Sequence, residues 1–370
     1  MEKIMRPSEA LQIALHVLRG GNSPFFIGSV GVGKSYVAYD LCNILANGLE
    51  VVRDVVFPKE DQYGFIDIRL SLLESIDLGG LPFLGDNNEQ KRAFLGNLPT
   101  GGKGLLLFDE YSQSHSSVQA VCGQLLYERR IGEYILPPEW QIICCGNRQT
   151  DRAGSNKLPT HVVGRCSIID FEVSLEDWIE WAINNGVHPQ VIGFIKMMPQ
   201  GLWEFDAKLA TPQPNPRTWT RLSDTLKTDP PKEIRNATLF ATDVGEHWAL
   251  EFDNFLFLSD EIPSIDEIMK NPEKAELPSG GSYHKKKKSG DVNVGGITYA
   301  TIVALTTTVN NATKAKVFKY FESALTYIQR LPSPELGVFF VRQTTAKRPE
   351  LKETKSFIDY KVKNSDIETL

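Results

Sequence analysis

Apolar runs and amphipathic stretches alternate through the first half of the chain. A helical pattern covers residues 34–46, and five apolar or alternating runs predict strands. These runs lie at residues 25–28, 65–70, 104–108, 141–145 and 167–171. A continuous apolar run such as GLLLF is typical of a buried parallel strand, and the helical stretches between the runs supply crossovers. The pattern therefore predicts an α/β fold in three layers, with a parallel sheet between two layers of helices.

The pattern changes after residue 199. Four prolines interrupt a stretch without clear periodicity, at positions 199, 212, 214 and 216, and helical patterns dominate from Arg217 onward. We predict a first domain at residues 1–199, a proline-rich linker at 200–216, and a mostly helical second domain with a C-terminal extension at 217–370. The lysine run at 285–288 predicts a solvated loop, with a contact to a phosphate backbone as the alternative.

Composition narrows the class of protein. The 370 residues are 41% hydrophobic, an ordinary value for a globular protein, and the net charge of −6 argues against a dominant nucleic-acid surface. No apolar run approaches the about 18 residues of a membrane-spanning helix, and residues 1–21 lack the apolar core of a signal peptide. The five cysteines form no CxxC pair, so we expect buried free thiols. These features predict a cytoplasmic protein with no membrane partner.

A glycine-rich motif follows the first predicted strand. Residues 28–35 (GSVGVGKS) match the phosphate-binding pattern GxxxxGK[ST] and open a predicted helix. Its glycines let backbone N–H groups converge on phosphate oxygens, toward which the helix also directs its positive dipole end. Lys34 supplies a charge for the β- and γ-phosphates, and the Ser35 hydroxyl is a ligand for Mg²⁺. ATP is the predicted nucleotide; GTP is the alternative, because the contacts that read the base are not evident in the sequence.

Two carboxylates follow another buried strand. Residues 105–110 (LLLFDE) deliver Asp109 and Glu110 to the carboxyl end of that strand, where open α/β sheets bind ligands. Asp109 would hold Mg²⁺ largely through water, and Glu110 would orient or deprotonate the attacking water. The predicted nucleotide-binding residues are Gly28, Ser29, Val30, Gly31, Val32, Gly33, Lys34, Ser35 and Asp109.

Three further polar residues complete the set of candidates. Asn147 ends the next buried strand, where its amide can bond the γ-phosphate and the lytic water. Arg165 precedes the last predicted strand, where it either forms a local ion pair or reaches the ATP site of a neighbouring subunit. Arg217 follows Pro216 at the start of a predicted helix. With Glu110, these residues are the predicted catalytic set.

The order of these motifs resembles the MoxR branch of the AAA+ ATPases, in the form common in prokaryotes and their viruses. The resemblance covers nearly the whole chain and implies an AAA+ core with a helix-2 insertion at about 71–99, a pre-sensor-1 hairpin at about 130–140, and a helical lid. The stretches that carry it are residues 77–82 (DLGGLP), 129–137 (RRIGEYILP) and 153–165 (AGSNKLPTHVVGR).

The resemblance also implies roles and partners. Asn147 would be sensor 1, Arg165 the arginine finger and Arg217 sensor 2. Cys166 stands where the family usually has phenylalanine, so Arg148 and Arg152 remain alternatives for the finger. A hexameric ring with sites between subunits is expected, as is a protein client, often with a separate partner that bears a von Willebrand factor A domain.

We therefore predict an ATP-hydrolysing remodeller or assembly factor for a protein partner. The alternative is an AAA+ nucleic-acid motor or loader, which the net acidity argues against and the lysine run at 285–288 favours. A nucleotide-binding scaffold that hydrolyses little ATP is a third possibility, against which the complete set of catalytic residue types counts.

Overall fold

A computed structural model describes residues 4–86, 88–94, 96–148, 160–259, 264–278, 294–331 and 334–364. Two features singled out from the sequence, Arg152 and the lysine run at 285–288, lie outside the described residues. The chain forms two compact units. One comprises Met1–Asp177 with Phe205–Ala210, and the other comprises Trp178–Glu204 with Thr211–Leu370.

The first unit is built on a six-stranded parallel sheet with the order β10-β1-β9-β6-β3-β2. The strands of the chain are β1 (Ser23–Ile27), β2 (Glu50–Arg53), β3 (Gln62–Arg69), β4 (Leu81–Leu84), β5 (Gln90–Ala93), β6 (Gly104–Asp109), β7 (Arg130–Ile131), β8 (Tyr134–Ile135), β9 (Trp140–Gly146) and β10 (Cys166–Asp170). All five predicted strands are members of this sheet. The edge strand β2 is an addition that the apolar pattern did not predict.

Helices cover both faces of the sheet. The helices of this unit are α1 (Pro7–Arg19), α2 (Lys34–Ala46), α3 (Ser75–Gly79), α4 (Ser116–Glu128) and α5 (Thr160–Val163). On one face Tyr39 of α2 packs edge-on against Phe65 of β3, with ring centroids 5.2 Å apart. On the other face Val118 and Cys122 of α4 belong to the buried cluster that contains Phe108. The predicted three-layer P-loop α/β fold is therefore confirmed.

The chain leaves β1 toward the β2 edge of the sheet and leaves the neighbouring strand β9 toward the β10 edge, so the connections diverge between β1 and β9. Strand β1 pairs with β9 on one side and with β10 on the other, so Ile27 lies level with both Gly146 and Asp170. On the next strands Arg69 lies level with Asp109. Because all these strands are parallel, their carboxyl ends form one edge, which is where open α/β sheets bind ligands.

Two small hairpins extend from the core. The β4–β5 hairpin follows α3, between β3 and β6, and β7–β8 lies between α4 and β9. They fall in the segments assigned by resemblance to the helix-2 insertion and the pre-sensor-1 hairpin. Strand β4 of the first hairpin carries the exposed apolar side chains of Leu81, Phe83 and Leu84, and the segment before it exposes Leu72 and Ile76.

The second unit is helical. Its helices are α6 (Leu175–Asn184), which begins at the boundary between the units, α7 (Pro189–Met197), α8 (Pro216–Lys227), α9 (Ala237–Val244), α10 (Glu246–Ser259), α11 (Ile265–Lys270), α12 (Val294–Asn310), α13 (Val317–Ile328), α14 (Pro334–Lys347) and α15 (Lys355–Lys363). Residues 178–199, which the sequence analysis placed in the first domain, group with this unit.

An aromatic cluster organises part of the second unit. Phe194 of α7 packs against Trp219 of α8 and Phe252 of α10, with ring centroids 5.3 and 5.2 Å apart. Gly193 allows α12 to approach, because a Cβ there would lie 2.6 Å from the Cβ of Ala300. Among the described helices, none is long and apolar enough to cross a membrane.

Candidate nucleotide-binding site

The glycine-rich loop turns between β1 and α2 at the sheet edge. Gly31 and Gly33 have φ values of 77° and 98°, which favour glycine because a side chain would be strained there. Gly28 is required for another reason, since a Cβ there would lie 2.6 Å from the carbonyl oxygen of Phe171. Helix α2 starts at Lys34, so its first N–H groups point into the concave side of the loop. The loop has the conformation that a phosphate cradle needs.

The Lys34 ammonium is buried within this loop. Its Nζ donates to the carbonyl oxygens of Gly28 and Ser29 at 2.7 and 2.8 Å. It also donates to Asn147 Oδ1 at 2.7 Å, from the end of β9. The structure thus brings together two residues that lie 113 positions apart in the chain and were predicted to share one phosphate site.

Ser35 and Asp109 meet where a metal ion would be needed. The Ser35 hydroxyl donates to Asp109 Oδ2 at 2.5 Å, and Asp109 Oδ1 accepts the N–H of Glu110 at 2.7 Å. A hydroxyl and a carboxylate are hard oxygen ligands of the kind that Mg²⁺ prefers, so the residues fit that ion. Among the described residues, no cluster of three or more His, Cys, Asp or Glu could enclose a metal. A magnesium ion would therefore complete its shell with phosphate oxygens and water.

Glu110 follows the strand in an unusual conformation. Its backbone is left-handed, with φ 55° and ψ 32°, which is uncommon for a residue other than glycine. Its Oε2 accepts a hydrogen bond from the Ser71 hydroxyl, which lies just after the end of β3. Ser71 was not predicted from the sequence. The available clue was its position two residues beyond Arg69, which pairs with Asp109 across the sheet.

Asp67 is a further carboxylate, on strand β3 beside β6. It shares a sheet face with Asp109, because Asp67 pairs with Leu107 and side chains alternate along a strand. Its Oδ1 is buried and has no hydrogen-bond partner among the described residues. Burial raises the pKa of Asp67 to about 6, with a further contribution from the charge of Asp109. Asp67 was not predicted from the sequence either; the available clue was an aspartate within the predicted strand FIDIRL.

Asn147 is fixed by the turn after β6. Its N–H donates to the hydroxyl of Ser112 at 2.8 Å, and Ser112 is buried. Gly146 permits this approach, because a Cβ there would lie 3.1 Å from the Ser112 oxygen. The same turn that carries Glu110 therefore also positions the amide that contacts Lys34.

The candidate arginines have local partners. Arg148 forms an ion pair with Asp170, donating from Nε and Nη2 at 2.9 and 2.7 Å. Arg165 donates to the carbonyl oxygen of Gly123 at 3.0 Å, and its guanidinium lies 5.1 Å from the centroid of the Tyr127 ring. Among the described residues, no hydrogen bond joins Arg165 to the glycine-rich loop. The structure therefore brings Lys34, Ser35, Asp109, Glu110 and Asn147 together, and holds Arg165 against α4.

Arg217 belongs to the second unit. It is exposed in the first turn of α8, where its N–H donates to Asn215 Oδ1 at 3.0 Å. Pro216 occupies the first position of the helix, as the sequence predicts.

Comparison with known proteins gives weak similarities only. No family model matches the chain, and no curated protein matches it. A structure of the RuvB Holliday junction branch migration motor of Thermotoga maritima is 15% identical, covers 72% of this chain and 75% of its own, and has a TM-score of 0.34. NtrX from Brucella abortus is 13% identical over 62% of this chain and 52% of its own, with a TM-score of 0.36.

A third solved structure, a putative ATPase from Cytophaga hutchinsonii, is 12% identical over 92% of this chain and 90% of its own, with a TM-score of 0.32. Likenesses of this strength carry no argument about activity. The fold assignment rests on the strand order and on the loop between β1 and α2.

Proposed function

We propose that the chain is an AAA+ ATPase that hydrolyses ATP between its β- and γ-phosphates. One observation carries this proposal: Lys34, Ser35, Asp109, Glu110 and Asn147 converge at the carboxyl edge of the sheet, where the connections diverge between β1 and β9. Each supplies a group that phosphoanhydride hydrolysis needs, and they stand at or just after the carboxyl ends of three strands, β1, β6 and β9.

The roles follow from chemistry and position. Lys34 would exchange its loop carbonyls for phosphate oxygens and neutralise part of their charge. Ser35 and Asp109 would hold Mg²⁺, which neutralises charge on the β- and γ-phosphates. A water oxygen attacks the γ-phosphorus, the bond to the bridging oxygen breaks, and ADP leaves. Glu110 would orient that water and accept its proton, while the Asn147 amide orients the water and the γ-phosphate.

We further propose that the site is completed by a second copy in a hexameric ring. Arg165 would act as an arginine finger toward the neighbouring subunit, and Arg217 would sense the nucleotide from the second unit. This proposal is supported by the resemblance to MoxR-type ATPases. It requires Arg165 to leave Gly123 and Tyr127, whose contacts with it are one hydrogen bond and one cation–π contact.

We propose that the ATPase acts on a client protein, which it remodels or assembles in a chaperone-like manner. A von Willebrand factor A domain protein is one candidate partner. Support comes from the exposed apolar side chains of strand β4 in the β4–β5 hairpin, because neighbouring large exposed apolar groups favour contact with a protein. A nucleic-acid motor is the second candidate, favoured by the lysine run at 285–288. Steeply salt-dependent DNA binding that is lost on replacing those lysines would favour the motor.

The decisive experiment replaces Glu110 by glutamine. We expect ATP binding to be retained and turnover to fall by about 10²–10⁴-fold, because the proton acceptor is lost while the phosphate contacts remain. Glu60→Gln, which neutralises an exposed glutamate away from the site, serves as the matched control. Hydrolysis by Glu110→Gln at the wild-type rate would remove Glu110 from the catalytic role.

Mixing variants tests action between subunits. Arg165→Ala and Glu110→Gln should each be nearly inactive alone. In mixed rings some interfaces join an intact Glu110 to an intact Arg165, so turnover should rise above that of either variant. Full activity of Arg165→Ala alone would exclude Arg165 as the arginine finger and would favour Arg148 or Arg152 for that role.

A further inference from the structure

A cavity of about 500 Å³ opens within the second unit, and its lining residues include none of the candidate nucleotide-binding residues. One wall comes from the segment after α7, with Trp203 and Glu204. The other comes from the first turns of α10, with His247, Trp248 and Glu251. The volume lies within the range of about 300–1,000 Å³ typical of small-ligand pockets. No role in nucleotide chemistry accounts for this combination of aromatic and acidic groups.

The wall formed by Trp248 is held in place. Its Nε1 donates to Glu204 Oε2 at 2.7 Å, which orients both the indole and the carboxylate. Gly201 lies against the indole face, since a Cβ at that position would lie 2.7 Å from Trp248 Cε3. The ring is therefore ordered by its neighbours before any ligand arrives, which lowers the entropy cost of binding.

Two carboxylates face a cavity with little cationic compensation. Glu204 and Glu251 form no salt bridge with any lysine or arginine of the described residues. His247 and Glu251 are four positions apart on α10, so both point from one face of that helix. The Met198 thioether adds a polarizable apolar surface. The pocket is thus lined by both negative charge and aromatic side chains.

This chemistry selects a particular ligand. An anion would be repelled by both carboxylates, and a neutral apolar group would offer their charges no cationic partner. A small hydrated metal ion would gain nothing from indole walls. An ammonium group on an alkyl chain satisfies both features, because its charge pairs with carboxylates and attracts aromatic faces while the chain packs on the rings.

We propose that this pocket binds an alkylammonium group, carried either by a lysine side chain of a partner protein or by a free amine. The inference is independent of ATP hydrolysis, because every lining residue belongs to the second unit and none belongs to the glycine-rich loop. It assigns that unit a recognition site of its own.

The test is titration of the full chain with paired probes, and binding is measured by calorimetry and by tryptophan fluorescence. Fluorescence is suitable because two of the six tryptophans, Trp203 and Trp248, line the pocket. Nα-acetyl-lysine methylamide is compared with its norleucine counterpart, which lacks the ammonium. Butylammonium is compared with butanol. We expect the charged member of each pair to bind with a dissociation constant of about 0.1–1 mM and its neutral member to bind at least about ten-fold more weakly.

Three variants locate the binding. Glu251→Gln removes a charge, and Glu204→Gln removes another while its amide oxygen still accepts the Trp248 N–H. Each should weaken the charged probes about ten-fold, and so should Trp203→Leu. Glu273→Gln, an exposed glutamate of the same unit, is the matched control and should bind as the wild type does. Comparison of melting temperatures identifies any variant that fails to fold. The affinities of the folded variants for the charged probes then decide whether the pocket is the binding site.

The outcomes distinguish the two sources of the ammonium group and can also refute the proposal. Tighter binding of the lysine derivative than of butylammonium supports the pocket and indicates a protein source, whereas equal binding supports it and indicates a free amine. Equal binding of charged and neutral probes would overturn the proposal, as would no binding at about 10 mM probe or binding that survives both glutamine variants.

Discussion

Replacing Asn147 by aspartate tests whether Lys34 is shared between Asn147 and the phosphates. In the structure Asn147 Oδ1 accepts from Lys34 Nζ at 2.7 Å. Aspartate keeps this acceptor and nearly the same shape, but it converts a neutral partner of the ammonium into a charged one. Phosphate oxygens would then compete with an ion pair for Lys34, and the new charge would also repel them.

The size of the effect follows from that contact. Two unit charges about 4 Å apart interact by about 4 kcal/mol at an effective dielectric constant of about 20. Desolvation of the buried pair offsets roughly half of this, which leaves about 2 kcal/mol against phosphate binding. That difference corresponds to about thirty-fold weaker affinity for ATP.

The assay is titration with a fluorescent ATP analogue in the presence of Mg²⁺. Asn147→Ala is the control, because it removes the acceptor without adding charge, and its affinity should stay within about three-fold of the wild type. The reasoning is refuted if Asn147→Asp binds ATP as tightly as the wild type, because Lys34 would then not be the group that the triphosphate contacts.

Two further predictions concern the carboxylates of Glu110 and Asp40. Ser71→Ala should raise steady-state ATP turnover by about two- to ten-fold, because Glu110 loses the hydroxyl that holds it; unchanged or lower turnover would mean that Ser71 does not restrain Glu110. Burial raises the pKa of Asp40 on α2 to about 6 from 3.8, so the folded state binds its proton more tightly than the unfolded state does. Stability contributed by this residue is therefore lost as the pH rises from about 4 through about 6. At pH 7.5 the free energy of unfolding of Asp40→Asn, measured by urea denaturation, should exceed that of the wild type by about 1–2 kcal/mol after allowance for the partial exposure of this residue. The difference should shrink toward pH 4.5. A gain of equal size at both pH values would contradict the assignment to ionisation.

The sheet was predictable because its central strands are apolar on both faces. Residues 104–108 can satisfy such a run only in the middle of a covered sheet, and Gly104–Phe108 are all buried in β6. The edge strand β2 was missed because it has four residues that are half-buried or exposed, so its sequence carries little periodicity. Pairing with β3, a contact between distant residues, is what makes it a strand.

The candidate site was predictable in its centre and less so around it. Lys34 and Asp109 stand in local motifs whose spacing carries their chemistry. Ser71 and Asp67 do not, because their relation to the site arises from the register between β3 and β6. The contact of Arg148 with Asp170 and that of Arg165 with Gly123 could not be predicted from the sequence either, because they depend on how β10 and α4 pack.

The left-handed backbone of Glu110 sets stability and activity against each other. A non-glycine residue in that conformation costs about 1–2 kcal/mol, and asparagine and glycine tolerate it better than glutamate does. Random mutation followed by selection for thermal stability alone should therefore enrich asparagine or glycine at position 110. Those variants would lack the carboxylate that we propose as the proton acceptor, so an engineer who screens this protein for heat resistance needs to keep ATP turnover in the screen.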